Sequence, residues 1–186
     1  MYPPPVGISY GLDEACVGYE FIPSEATVYM ANSRGIIMVW RDVALSLWSG
    51  LAQASDFDAV EAAIRQDDRK RAVAIGVTAD APFPKPETRK RIAEYEFSAE
   101  NFLAHAILCR GTGLRASAIR SFMSGLRLMS RRPIASFVSD RGEGVLTWLG
   151  RETPQLDLPN ELPEVMNGIL DARARPSRRV PLSSSG

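Results

Sequence analysis

The stretch Ala104-His105-Ala106-Ile107-Leu108-Cys109, Arg110-Gly111-Thr112-Gly113, Leu114 to Ser130, Ile134-Ala135-Ser136-Phe137-Val138 and Gly142 to Leu149 runs in the order strand, glycine turn, helix, strand, helix. An apolar strand entering a helix through a Gly-x-Gly turn is how α/β proteins build both sheets and anion sites. In the helix, Ile119, Phe122, Met123, Leu126 and Met129 form one apolar stripe, while Arg120, Ser124 and Arg127 lie elsewhere around the turn. One helix face therefore packs on a sheet, and the class is α/β.

Working toward the N-terminus, Ala72-Val73-Ala74-Ile75-Gly76-Val77 is a short apolar run between turn signals, the pattern of a strand buried on both faces. Ala81-Pro82-Phe83-Pro84-Lys85-Pro86 is a loop, because its prolines remove backbone donors and bias the residues before them toward extended geometry. Glu87 to Phe97 follows as an exposed helix supported by charge pairs. From Asp42, taken as an N-cap, Val43, Leu47 and Leu51 recur four apart with Trp48 beside them. Ser55-Asp56 is a second capping signal before Phe57, Val60 and Ile64, so the spacing predicts two helices or one bent helix ending in the charged run 67–71. Ahead of that region, 26–31 and 36–40 flank the turn Asn32-Ser33-Arg34-Gly35 and read as a hairpin.

The ends have a different composition. Residues 1–25 hold three consecutive prolines and scattered glycines and read as an irregular segment, apart from a short strand that Cys16 to Phe21 could form. Residues 26–150 make one α/β domain, the expected number for 186 residues. Residues 151–186 read as a proline-punctuated linker, a short helix over 164–170 and a disordered tail rich in arginine and serine.

Charge and cysteine usage narrow the function classes. The 22 Lys+Arg balance 22 Asp+Glu, so the chain lacks the positive excess of a nonspecific nucleic-acid binder, and no nucleic-acid partner is expected. Cys16 and Cys109 are far apart and suggest neither a redox pair nor a disulfide framework. No run approaches the ~18 apolar residues of a spanning helix, and the Met1-Tyr2-Pro3-Pro4-Pro5 start has no signal-peptide pattern, so a cytoplasmic protein without a transmembrane segment is expected.

Catalytic chemistry is hard to place. His105 is the single histidine, sits mid-strand and has no partner ligand at metal spacing, which gives a core histidine and no metal site. No nucleophile elbow or catalytic cysteine signature accompanies it, and the carboxylates Glu87, Glu94, Glu96 and Glu100 read as a solvated helix face. The chain is therefore expected to be no enzyme and to need no cofactor. Arg110, Gly111, Thr112, Gly113 and Arg115 are candidates for binding an anion at the helix start, although the third glycine of a dinucleotide fingerprint and the Gly-Lys-Ser/Thr of a P-loop are missing. Thr78 and Asp80 follow the apolar strand at 72–77, at the strand end where open α/β sheets place ligands.

The element order, with Arg110 to Leu126 and the closing Val145-Leu146-Thr147-Trp148-Leu149, resembles the STAS domain of bacterial anti-sigma-factor antagonists and SpoIIAA-like proteins over residues 26–150. That resemblance implies a STAS-like fold with a mostly parallel central sheet, an N-terminal hairpin and about four helices. It also implies a non-catalytic module of bacterial signalling that docks a protein partner on the loop and helix at 78–97. Thr78, Asp80, Phe83, Lys85, Glu87 and Arg91 are the candidate partner-binding residues. The family's Asp-Ser-(Ser/Ala)-Gly phosphorylation motif has no counterpart in Gly76 to Phe83, where the proline-rich loop stands. The alternative is a domain that binds a small ligand or lipid, through the Gly111-Thr112-Gly113 helix start or an apolar pocket.

Overall fold

A computed structural model describes residues 17–65, 68–95, 101–111, 113–129 and 134–174. The proline-rich start, Cys16, Asp67, Phe97, Thr112, Ser130 and the serine-rich tail lie outside the described residues. Six strands, β1 (Thr27–Ala31), β2 (Gly35–Trp40), β3 (Val43–Trp48), β4 (Arg71–Val77), β5 (Phe102–Cys109) and β6 (Ala135–Ser139), form one sheet in sequential order. The helices are α1 (Asp56–Arg65), α2 (Pro86–Tyr95), α3 (Gly113–Met129), α4 (Gly142–Glu152) and α5 (Leu162–Ala174). A single 3-10 turn, Tyr19–Phe21, occupies the described part of the segment where a short strand was an option.

The sheet is mixed, which corrects the expectation of a mostly parallel one: β1, β2 and β3 pair antiparallel, and β3 through β6 pair parallel. The cause is residues 43–48, which form a strand and not the first part of a helix. Val43 and Leu47 are four apart, and that spacing fits one face of a helix and one face of a strand equally well. Leu45 between them decides the matter, because it completes the period of two, and all six residues from Val43 to Trp48 are buried. The chain reverses at Arg41-Asp42 with left-handed backbone at Arg41 (φ 52), pairing Trp40 with Val43. Asp42 does not cap a helix; its carboxylate accepts the Asp157 N–H at 2.9 Å.

The two sheet faces are covered by different helices. On one, Ala44 and Trp48 of β3, Val73 and Ile75 of β4, and Ile107 and Cys109 of β5 meet Phe57 and Val60 of α1, Ile92 of α2 and Ile119 of α3. On the other, Val43, Leu45, Leu47, Ala72, Ala74, Ala104, Ala106 and Leu108 meet Val145 and Leu149 of α4 and Leu162, Met166, Ile169 and Leu170 of α5. Small strand residues let α5 come close. At Gly76 a Cβ would fall 2.6 Å from Leu47 Cδ2 and 3.0 Å from Leu170 Cδ1. The helix expected at 164–170 is longer than its sequence signal, and its four large apolar side chains, each at most 1% exposed, contribute on the order of 10 kcal/mol of gross burial.

Candidate functional site: the carboxyl edge of β3 and β4

Strands β3, β4 and β5 are parallel and each is followed by a helix on the same face, so the loops after Trp48, Val77 and Cys109 gather at one edge of the sheet. That edge holds a cavity of about 60 Å³. Ile75 and Val77 of β4 form its floor, Phe57, Ile92, Ile119 and Phe122 its walls, and Ala81 to Pro84 its roof. Every described lining residue is apolar or glycine.

The roof follows from its prolines. The Ala81 N–H donates to the Thr78 carbonyl at 3.1 Å, after which Pro82 and Pro84 hold the chain extended, and Pro86 opens α2 where a missing donor costs nothing. Phe83 is 44% exposed and lies edge-on to Phe122, with ring centroids 5.9 Å apart. Beyond the roof, the Thr88 hydroxyl donates to the Ala52 carbonyl at 3.4 Å and Arg91 pairs with Asp58 of α1 at 2.8 Å. These two contacts tie α2 to α1 and to the loop that precedes it.

Opposite the roof, the start of α1 is fixed by a charged contact that joins it to the hairpin turn. Arg34 donates from Nε to Asp56 Oδ2 at 3.0 Å and from Nη2 to Oδ1 at 2.6 Å, with the Asp56 side chain only 3% exposed. Asp56 Oδ2 also accepts the Gln53 N–H at 2.8 Å, so the same carboxylate fixes the turn that enters α1. Hydrogen bonding to Asp56 raises the Arg34 guanidinium above its ordinary pKa. Phe57, next in sequence, stacks on Trp48 at 5.7 Å and forms part of the cavity wall.

No family model, curated protein or solved structure matches the chain.

Of the candidates for partner binding, Phe83 lines the cavity, and Thr78, Asp80, Lys85, Glu87 and Arg91 surround it without lining it. Thr78 is 2% exposed and its hydroxyl has no hydrogen-bond partner. Asp80, Lys85 and Glu87 are exposed, whereas Arg91 is engaged with Asp58. The anion candidates are arranged differently. Arg110 pairs with Asp171 of α5, and Arg120 donates to the Gly111 carbonyl at 3.2 Å. Gly111 has a φ of 105 and Gly113 one of 89, and a Cβ on Gly111 would overlap Ala79. Backbone conformation thus accounts for both glycines, and close approach to Ala79 for Gly111 as well, as a corner between β5 and α3. Thr112 and the Arg115 side chain lie outside the described residues.

His105 is 1% exposed with its ring edge-on to Phe102 at 5.3 Å, and burial pushes its pKa down to about 4. Burial likewise pushes the Cys109 thiol up; its Sγ lies 3.8 Å from the Ala116 carbonyl. Among the described residues no group of three His, Cys, Asp or Glu side chains is placed to hold a metal, and no helix is long and apolar enough to cross a membrane.

Sequence reasoning missed the Arg34–Asp56 contact and the cavity itself. Ser55-Asp56 carries a visible capping signal, but Arg34 sits 22 residues earlier in a turn and nothing local joins them. The cavity walls come from stretches of chain as distant as Trp48 and Phe122, and only the pairing of β3 with β4 and of β4 with β5 brings them together.

Proposed function

We propose that the protein is a non-catalytic, STAS-like interaction module of bacterial signalling or regulation, which docks a protein partner on the carboxyl edge formed by the loop and helix at 78–95. The observation that carries this proposal is the cavity. It is apolar throughout its described lining, it lies at the strand ends where α/β proteins engage their ligands, and its roof exposes Phe83. A pocket that performs chemistry also needs converging polar groups. What this edge offers is a seat for an apolar group and an aromatic residue beside it, which is how protein partners are anchored. The alternation of strand and helix from β3 to α4, after the N-terminal β1–β2 hairpin, also supports a STAS-like placement.

A second use of the same cavity is a small apolar ligand. At about 60 Å³ it is less than half the ~150 Å³ of a cavity that admits benzene, so it fits the end of an apolar group and not an acyl chain.

The test is a photo-crosslinking residue placed at Phe83 and, as control, at the exposed Glu164 of α5, in cells of the source organism. A discrete protein adduct from position 83 that is absent from position 164 is the expected result. Identical adducts from both positions, or none from position 83, would overturn the proposal.

A further inference from the structure

Helix α2 is held from one side. Thr88 and Arg91 fasten it to α1 and the loop before α1, and among the described residues no packing of similar extent joins it to α3. The cavity lies in the resulting cleft, between Ile92 on α2 and Ile119 and Phe122 on α3, and the Phe83–Phe122 ring contact spans it.

Among the described residues, the charge on α2 is also one-sided, while the exposed Asp80 lies in the loop before the roof. At about 100° per residue, Arg89 lies about 200° around the helix from Arg91. Arg91 faces α1, where Asp58 neutralises it, so Arg89 lies on the flank turned toward the cleft, and Lys85, whose carbonyl accepts the Arg89 N–H at 2.9 Å, stands just before it at the start of the helix. By the same geometry Glu87 falls on the α1 side. Both Lys85 and Arg89 are exposed.

We propose that the cleft between α2 and α3 binds an acidic segment of a partner protein, which seats one aliphatic side chain in the cavity and sets its carboxylates beside Lys85 and Arg89. The proposal rests on the docking role given above and specifies the chemistry of the partner. The cavity has room for a branched aliphatic end and not for an aromatic ring, and its lining gives a polar group nothing to bond. The basic flank next to it favours acidic sequences and disfavours basic ones, since complementary charge sets specificity and encounter rate more than affinity.

A random-peptide display selection against the full chain tests this, read with two variants. The enriched peptides are expected to carry one Leu, Ile, Val or Met flanked by Asp and Glu. Ala52→Leu, which adds three carbons at the cavity lining, should weaken them about tenfold, the effect of losing one buried aliphatic anchor. The surface pair Lys85→Glu with Arg89→Glu should weaken them by a similar factor at low salt, with the difference shrinking at ~1 M salt, and this variant reports whether or not Ala52→Leu folds.

Enrichment of basic or purely aromatic sequences, full binding to both variants, or no enrichment at all would overturn the proposal. So would a small apolar molecule recovered from the cavity by mass spectrometry. If position 83 still gives its crosslinked adduct while the selection fails, the docking role stands and only the acidic, aliphatic partner is wrong.

Discussion

On the face covered by α4 and α5, Ala72, Ala74, Ala104 and Ala106 leave space that Leu149, Leu162, Met166 and Ile169 fill until all are 0% exposed. On the face covered by α1, α2 and α3, the strands present Ser46, Ile75, His105 and Ile107, and cavities of about 60 and 10 Å³ remain. Dense interdigitation is the normal state of a protein interior, and each void forfeits dispersion contacts. Among the described residues, one face is thus densely filled and the other keeps unfilled apolar room at its carboxyl edge. On the docking proposal made above, the looser face is where a partner's side chain would supply the missing contacts.

The largest expected effect sets the faces against each other directly. Met166→Ala, in the closed core, should cost about 4 kcal/mol in chemical denaturation, while Ile119→Ala, whose side chain already lacks packing partners where it borders the cavity, should cost about 2 kcal/mol. Equal losses would erase the contrast.

A second effect belongs to the looser face alone. Burial lowers the His105 pKa from 6.5 to about 4, so the folded chain binds this proton less readily than the unfolded chain. Stability from this group is complete above pH 6.5 and is lost as the pH falls toward 4, a total of about 3 kcal/mol. His105→Leu should flatten that part of the pH–stability curve; an unchanged curve would place the acid sensitivity elsewhere.

Smaller effects sharpen the picture of the edge. Gly111→Ala combines a φ of 105 with overlap on Ala79 and should cost about 2 kcal/mol, against about 1 kcal/mol for Gly113→Ala, where φ is 89 and the space is open. Equal costs in thermal melts would show that the corner does not depend on its contact with Ala79. Ser46, 3% exposed and lining the smaller cavity, has a hydroxyl without a partner, so Ser46→Ala should raise stability by about 1 kcal/mol. A loss of stability would mean that the hydroxyl is satisfied there.

How far the sequence anticipates this structure depends on whether a signal is local. Continuous apolar runs place β4 and β5 within two residues of their ends, and the glycine turn marks the start of α3. β3 is obscured because Val43 and Leu47 satisfy two periods at once, and the Arg41-Asp42 turn that settles the question lacks the glycine that usually announces a hairpin. α5 is underestimated because its burial depends on Gly76 and the alanines of strands far away in sequence. Phe83 and its loop are legible as a departure from regular structure, but the cavity beneath them exists only once three helices stand on one face.

The most direct test of that contrast is xenon binding, followed through the methyl NMR signals of Ile, Leu and Val. Xenon enters dry apolar cavities that are accessible. Shifts at Ile75, Val77, Ile92 and Ile119, with none at Leu162, Ile169 or Leu170, are the predicted result. Shifts at the α5 methyls, or none at the cavity, would contradict the claim that the α1–α3 face holds an open apolar seat.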